Sequence, residues 1–226
     1  ICPRCETTLS QGEVAEGYRD VKDLSAIVEF RLVDNPNTSF LAWTTTPWTL
    51  PGNVALAVGA KIDYVTIEKK DEGIGILVKF ILAKDKLDKI FAGQEYKILE
   101  TKKGIELAGL EYEPLFDYYS KDEKLKNKEN GWKVYSADFV NTNEGTGIVH
   151  IAPAFGADDM ALGKKENLPF VQHVKMDGTF KEETGDFAGL DLKPRAKDKP
   201  EEIREADLQI VKTLEKSGLL FSYEKY

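Results

Sequence analysis

Between Trp43 and Asn53 the chain reads Trp-Thr-Thr-Thr-Pro-Trp-Thr-Leu-Pro-Gly-Asn, which sets four threonines, Thr44, Thr45, Thr46 and Thr49, within six positions. Threonine hydroxyls are small, rotatable donors and acceptors, suited to gripping a polar ligand while excluding bulk. Threonine also simply favours strands. Here the cluster runs into a turn that Pro47, Pro51 and Gly52 make rigid, and it ends on Asn53, which favours the ligand reading. A second set lies at Gly145-Thr-Gly-Ile-Val-His-Ile-Ala-Pro-Ala-Phe-Gly-Ala-Asp-Asp159, a buried strand leading through a turn into a helix start. On that strand His150 shares a face with Ile148 and Ala152, as either a satisfied core histidine or a catalyst. Asp158 and Asp159 are neighbours, so on a helix they point about 100° apart and cannot work as one carboxylate pair. One of them caps the helix or answers its dipole. The other is left to face the turn, where a carboxylate binds a ligand's ammonium by a charge-assisted hydrogen bond.

Much other chemistry is ruled out by what the 226 residues lack. Two histidines, His150 and His173, leave little for a histidine base or a multi-histidine metal site. There is no Gly-x-Ser-x-Gly elbow, no His-Glu-x-x-His pair and no Gly-x-x-x-x-Gly-Lys phosphate loop. Gly73-Ile-Gly75 and Gly145-Thr-Gly147 lack the third glycine of a dinucleotide loop and read as turns of close backbone approach. The two cysteines, Cys2 and Cys5, stand as Cys-Pro-Arg-Cys: half of a tetrahedral zinc site, or two incidental thiols. As zinc ligands they need partners from outside this sequence. A net charge of -8 and the lack of a Lys/Arg run interleaved with aromatics make any nucleic-acid contact local.

These residues need strands to carry them. Alternation over Ala26–Val33 predicts a half-buried strand, with others at Phe40–Thr44, Val54–Val58, Tyr64–Ile67, Gly75–Leu82, Tyr96–Leu99, Lys133–Ser136, Gly147–Ala152 and Phe170–Val174. One long helix is expected from Pro200, with Ile203, Ala206, Ile210, Val211 and Leu214 on one face and Gly218 stopping it. Shorter ones are expected at Lys84–Phe91 and Ala157–Glu166. The polar stretches Tyr119–Gly131 and Lys181–Pro200 read as surface excursions. The fold class is therefore α+β, mainly β: a curved sheet or β-barrel with a few peripheral helices. With 42% hydrophobic and 31% charged residues, and no apolar run of the roughly 18 residues that a bilayer demands, a single soluble, cytoplasmic domain is expected, with no membrane partner. Starting on Ile1 without a leader, it reads as a fragment.

Both motifs resemble those of the connective-peptide editing domain of the class I synthetases for isoleucine, valine and leucine. Sister enzymes typically carry Thr-Thr-Arg-Pro where this chain has Thr-Thr-Thr-Pro-Trp, and a Pro-Ala-His-Asp type sequence where it has Pro-Ala-Phe-Gly-Ala-Asp-Asp, so in detail the resemblance is to the isoleucyl type. Cys2-Pro-Arg-Cys5 resembles the first half of that enzyme's zinc ribbon, and Leu219–Tyr226 the strand leading back to the second half. The stretch from about Lys69 to Trp132 carries no matching motif. The resemblance implies residues 1–24 as half a zinc ribbon and entry segment, 25–180 as barrel core with both motifs, and 181–226 as a return segment with a helix. It implies hydrolysis of valine from the tRNA for isoleucine, with valyl-adenylate as a candidate second substrate. The expected partners are the tRNA 3′ end, the valine moiety and the rest of the synthetase. Editing is expected to need no cofactor, and zinc only in the full-length enzyme through Cys2 and Cys5. Asp159 would hold the substrate's α-ammonium, and His150 would line the side-chain pocket and exclude isoleucine. Thr44, Thr45, Thr46 and Thr49 would contact substrate and terminal adenosine or hold the attacking water, with Asp159, Thr45 and Thr46 as the catalytic set. Trp48 and Asn53, also counted among the substrate-binding residues, would support the turn. Alternatives are a non-catalytic tRNA-binding or zinc-dependent module, and an editing domain of the valyl or leucyl type.

Overall fold

The computed structural model describes residues 6–16, 23–70, 75–192 and 205–225. Cys2 and Cys5, Gly73, and the start of the expected long helix at Pro200 and Ile203 lie outside the described residues. Among those described, nine strands form one sheet that curls into a half-barrel: β1 (Leu24–Arg31), β2 (Thr38–Thr44), β3 (Ala55–Val58), β4 (Asp63–Lys70), β5 (Leu77–Ala83), β6 (Lys97–Lys103), β7 (Lys133–Ser136), β8 (Ile148–Ile151) and β9 (Leu220–Lys225). Five α-helices sit around it: α1 (Gln11–Ala15), α2 (Leu87–Ile90), α3 (Gly104–Leu107), α4 (Ala157–Lys165) and α5 (Glu205–Lys216). None is long and apolar enough to cross a membrane.

The alternation on β1 does what its period implies: Ala26, Val28 and Phe30 are buried, while Ile27, Glu29 and Arg31 are half-exposed. β2 pairs along its length with β1, antiparallel, from Ala26↔Thr44 to Arg31↔Ser39. Its other edge is shared, with Thr38–Phe40 parallel to β5 and Trp43 parallel to β8 at Val149. The sheet forks there, and β4 and β6 extend it beyond β5 while β3 and β7 extend it beyond β8. Tyr64 bridges the fork: its hydroxyl accepts from Gly59 N at 2.9 Å and donates to Gly147 O at 2.7 Å. Gly147 has φ +77°, and a Cβ there would come within 2.4 Å of Ala83, so only glycine lets the two arms approach this closely.

Phe30, Phe40, Leu50, Leu56, Tyr112, Phe180 and Phe187 fill the half-barrel, and α5 closes it with Ala206, Ile210, Val211 and Leu214. That helix ends as the sequence predicts, in a Schellman turn: Leu219 N bonds Leu214 O, Gly218 N bonds Glu215 O, and Gly218 has φ +65°. Two expectations need correction. Phe170–Val174 is no strand; Val171, His173 and Val174 do point inward and Phe170 and Gln172 outward, but only Val174 finds a strand-like partner, in Phe180. Residues 181–192 are not a surface excursion, because the 3-10 turn Glu182–Phe187 sinks Thr184 and Phe187 into the core. One aromatic anchors a stretch whose charge hides it.

Candidate functional site

The two motifs leave the sheet side by side, since β2 and β8 are parallel neighbours, and between them lies a cavity of about 530 Å³. It is lined by Thr44, Thr45, Thr46 and Thr49 on one side and by Ala152, Phe155, Gly156 and Asp159 on the other, with Ile148, Val149 and His150 of β8 between them. The rim is Phe139, Asn141, Asn143, Glu144 and Gly145, with Trp43 behind. A cavity of this size, half polar and half apolar, suits a small organic ligand.

On the threonine wall, the chain enters a 3-10 turn at Pro47–Gly52, with Pro47 at its first position. Thr44 Oγ1 accepts from Thr46 N at 3.1 Å, and Thr49 Oγ1 donates to Thr46 O at 2.8 Å. Because that carbonyl can only accept, the Thr49 proton is committed to it. His150 Nε2, 2.9 Å from Thr49 Oγ1, must then be the donor. The ring carries its proton on Nε2, and Nδ1 is buried with no hydrogen-bond partner among the described residues. Burial lowers the His150 pKa to about 4, with His173 adding to the effect, so the imidazole is neutral at physiological pH. A neutral ring whose Nε2 is spent on Thr49 is no general base there; it is a wall. Thr46 Oγ1 is held only loosely, 3.4 Å from Thr49 Oγ1 and 3.5 Å from Thr44 Oγ1. Thr45 is half-exposed on the same wall, and its hydroxyl makes no hydrogen bond among the described residues.

On the opposite wall α4 starts without a side-chain cap, at Gly156. Asp158 is exposed in its first turn. Asp159, one place further, folds back so that its Oδ1 accepts from Ala152 N at 2.7 Å, tying the helix start to the end of β8. Its Oδ2 lies over Gly156, where a Cβ would come within 2.3 Å. Burial raises the Asp159 pKa, partly offset by the bond from Ala152. A carboxylate that has lost water on an apolar wall gains most from a cationic partner.

The structure thus brings Thr44, Thr45, Thr46, Thr49, His150 and Asp159 to one cavity. It does not bring Trp48 or Asn53 to the cavity wall. Asn53 is buried, its Nδ2 donating to Ala55 O at 2.9 Å and its Oδ1 accepting from Tyr112 at 2.7 Å, and Trp48 packs edge-on against Phe155 at 5.1 Å. Asn141, Asn143 and Glu144 escape a sequence reading that begins the second motif at Gly145. Their turn-forming composition just before a glycine pair is the signal that marks them. Among the described residues no group of three or more His, Cys, Asp or Glu is placed to hold a metal.

No protein-family model matches the chain. Among solved structures, the crystal structure of GlLeuRS-CP1, a leucyl-tRNA synthetase domain, superposes with a TM-score of 0.61 at 12% identity, covering 88% of this chain and 99% of that one. The fold is that of the CP1 editing domains of class I aminoacyl-tRNA synthetases. Over its whole length the chain is also 42% identical to the isoleucine–tRNA ligase of Clostridium novyi and 41% identical to that of Thermoplasma volcanium. The chain belongs to the isoleucine–tRNA ligase family, and it spans 19% and 20% of the length of these two relatives.

Proposed function

We propose that the cavity hydrolyses the ester of a misacylated tRNA, removing valine from the tRNA for isoleucine as the proofreading part of an isoleucine–tRNA ligase. The observation that carries this reading is the pairing, across one cavity, of the partly buried Asp159 carboxylate with a wall of threonine hydroxyls and a neutral histidine. An α-amino ester offers an ammonium for the first and a carbonyl and ribose hydroxyls for the second. Asp159 binds the α-ammonium. His150, rigid and uncharged, bounds the side-chain pocket and leaves no room for isoleucine's extra methylene. Such a second sieve is required because one methylene in a binding pocket is worth only about 1–3 kcal/mol, a limit for which isoleucyl-tRNA synthetase is itself the standard illustration.

The lining contains no serine or cysteine, and its histidine is not free to act as a base, so the attacking group is water. An aminoacyl ester is already activated, and positioning supplies much of the remaining rate. Thr45, with an uncommitted hydroxyl, and the loosely held Thr46 orient the water and the developing oxyanion. The tRNA 3′ end, the rest of the ligase and a cytoplasmic setting belong to this reading.

The test offers valyl and isoleucyl esters of the same tRNA to the ligase that contains this sequence. Valine is expected to be lost preferentially. Asp159→Ala lowers kcat/KM for valyl-tRNA by about 10- to 100-fold, the value of one charge-assisted hydrogen bond, and His150→Ala extends hydrolysis to isoleucyl-tRNA. Full activity of the Asp159→Ala protein would sink the assignment.

A further inference from the structure

Trp48 stands at a gap in the hydrogen bonding of the threonine turn. In a 3-10 helix each carbonyl accepts from the amide three residues on, as Thr46 O does from Thr49 N at 2.9 Å and Leu50 O from Asn53 N at 3.0 Å. The amide due to Trp48 O belongs to residue 51, which is proline and has no N–H. Trp48 N lies at the second position of the turn, where no earlier turn carbonyl stands ready to accept. Both backbone groups are nevertheless matched by side chains from far along the chain. Asp207 Oδ1, on α5, accepts from Trp48 N at 2.7 Å, and His173 Nε2 donates to Trp48 O at 2.9 Å. Asp207 and His173 are both fully buried, and neither touches the cavity.

The imidazole of His173 has no freedom to do otherwise. It packs against Phe155 at 4.6 Å and Phe180 at 5.4 Å between ring centroids, and its Nδ1 lies over Gly52, where a Cβ would come within 2.4 Å. Bonding to a carbonyl fixes the proton on Nε2. Burial lowers its pKa to about 4, so it stays a neutral donor. The peptide it grips leads directly into Thr49, whose own N–H is held by Thr46 O and whose hydroxyl is held by His150. The two histidines therefore fix Thr49 from opposite sides, one through its side chain and one through its backbone.

We propose that His173 and Asp207 are positioning residues for the cavity: by completing the hydrogen bonds of Trp48 they set where the Thr46 and Thr49 hydroxyls stand relative to bound substrate. The activity part of this proposal rests on the hydrolytic reading above. Displacing a reacting group by about 1 Å costs up to about 100-fold in rate, and removal of either bond acts on placement without touching the substrate.

In the ligase that contains this sequence, His173→Leu and Asp207→Ala are expected to lower kcat for valyl-tRNA deacylation at least about tenfold, with KM nearly unchanged. His173→Gln keeps a donor and Asp207→Asn an acceptor, and both recover most of that loss. A Pro51→Ala background restores the missing amide and shrinks the effect of His173→Leu. Hydrogen exchange at the Trp48 amide accelerates in Asp207→Ala and is restored in Asp207→Asn. Wild-type kcat in the Leu and Ala proteins, or equal losses in the conservative variants, overturns the proposal. Should the Leu and Ala proteins not fold, the conservative pair decides: Gln or Asn proteins that fold yet lose activity tenfold overturn it. If the wild-type ligase does not deacylate at all, the hydrolytic reading fails by itself, and unchanged Trp48 exchange in Asp207→Ala then overturns the positioning role separately.

Discussion

Along the threonine wall, Thr44 and Thr49 are bonded to their own turn and the nearest titratable group, His150, is neutral. Across the cavity Asp159 carries a carboxylate that spans two elements, one oxygen on the end of β8 and the other against Gly156. The first wall is a set of dipoles whose hydroxyls bond within their own turn; the second is a single charge held between a strand end and a helix start. Recognition of an α-amino ester needs both, because the ammonium is common to all amino acids and only the side chain tells them apart.

The sharpest way to break the contrast is Gly156→Ala. Gly156 has φ -139°, a backbone that alanine accepts, so the damage comes only from the added methyl pushing on Asp159 Oδ2. Deacylation should fall by about 10- to 100-fold with little change in melting temperature; an unchanged rate would show that the place of the carboxylate is unimportant. Acid attacks the opposite wall. Both histidines have folded pKa values of about 4 against an ordinary 6.5, so between those pH values the unfolded chain binds protons that the folded one refuses. Stability is full above about pH 6.5 and is lost as pH falls towards 4, by up to about 3 kcal/mol per histidine. Denaturant titrations across that range should give this slope, and His173→Gln should roughly halve it. Asp159 runs the other way: its raised pKa makes its contribution weaken as pH rises through the carboxylate range. The smallest effect belongs to Asp158→Ala, which removes an exposed charge from the first turn of α4. Only about 0.3–1 kcal/mol of stability should go, with deacylation intact, and a loss of activity matching that of Asp159→Ala would mean that the two carboxylates share the role.

Much of this cavity is legible in the sequence, because its wall residues are contiguous. Thr44 to Thr49 and Ala152 to Asp159 follow the ends of two adjacent parallel strands, so short motifs carry whole walls. What supports the walls is not contiguous. Asp207 and His173 reach Trp48 across 159 and 125 residues, and nothing local marks either. β6 was legible only in part, as Tyr96–Leu99 against the observed Lys97–Lys103. Its second half, Glu100-Thr-Lys-Lys103, has no apolar alternation, and its extended form comes from pairing with β4. Phe170–Val174 fails for the complementary reason: burial alternates there, but among the described residues only Val174 pairs, in a single bridge to Phe180.

The pairing of β1 with β9 has a mechanical meaning. These strands run antiparallel, with Leu24 opposite Lys225, so the chain enters and leaves the half-barrel at the same end. A force that pulls those two points apart loads the hydrogen bonds of the ribbon one after another, like a zip, instead of shearing them together. β1 stays fastened to β2 on its other edge through Ala26↔Thr44 while this happens. Tension applied at those two points would therefore be spent peeling β9 before it reached the first threonine of the cavity.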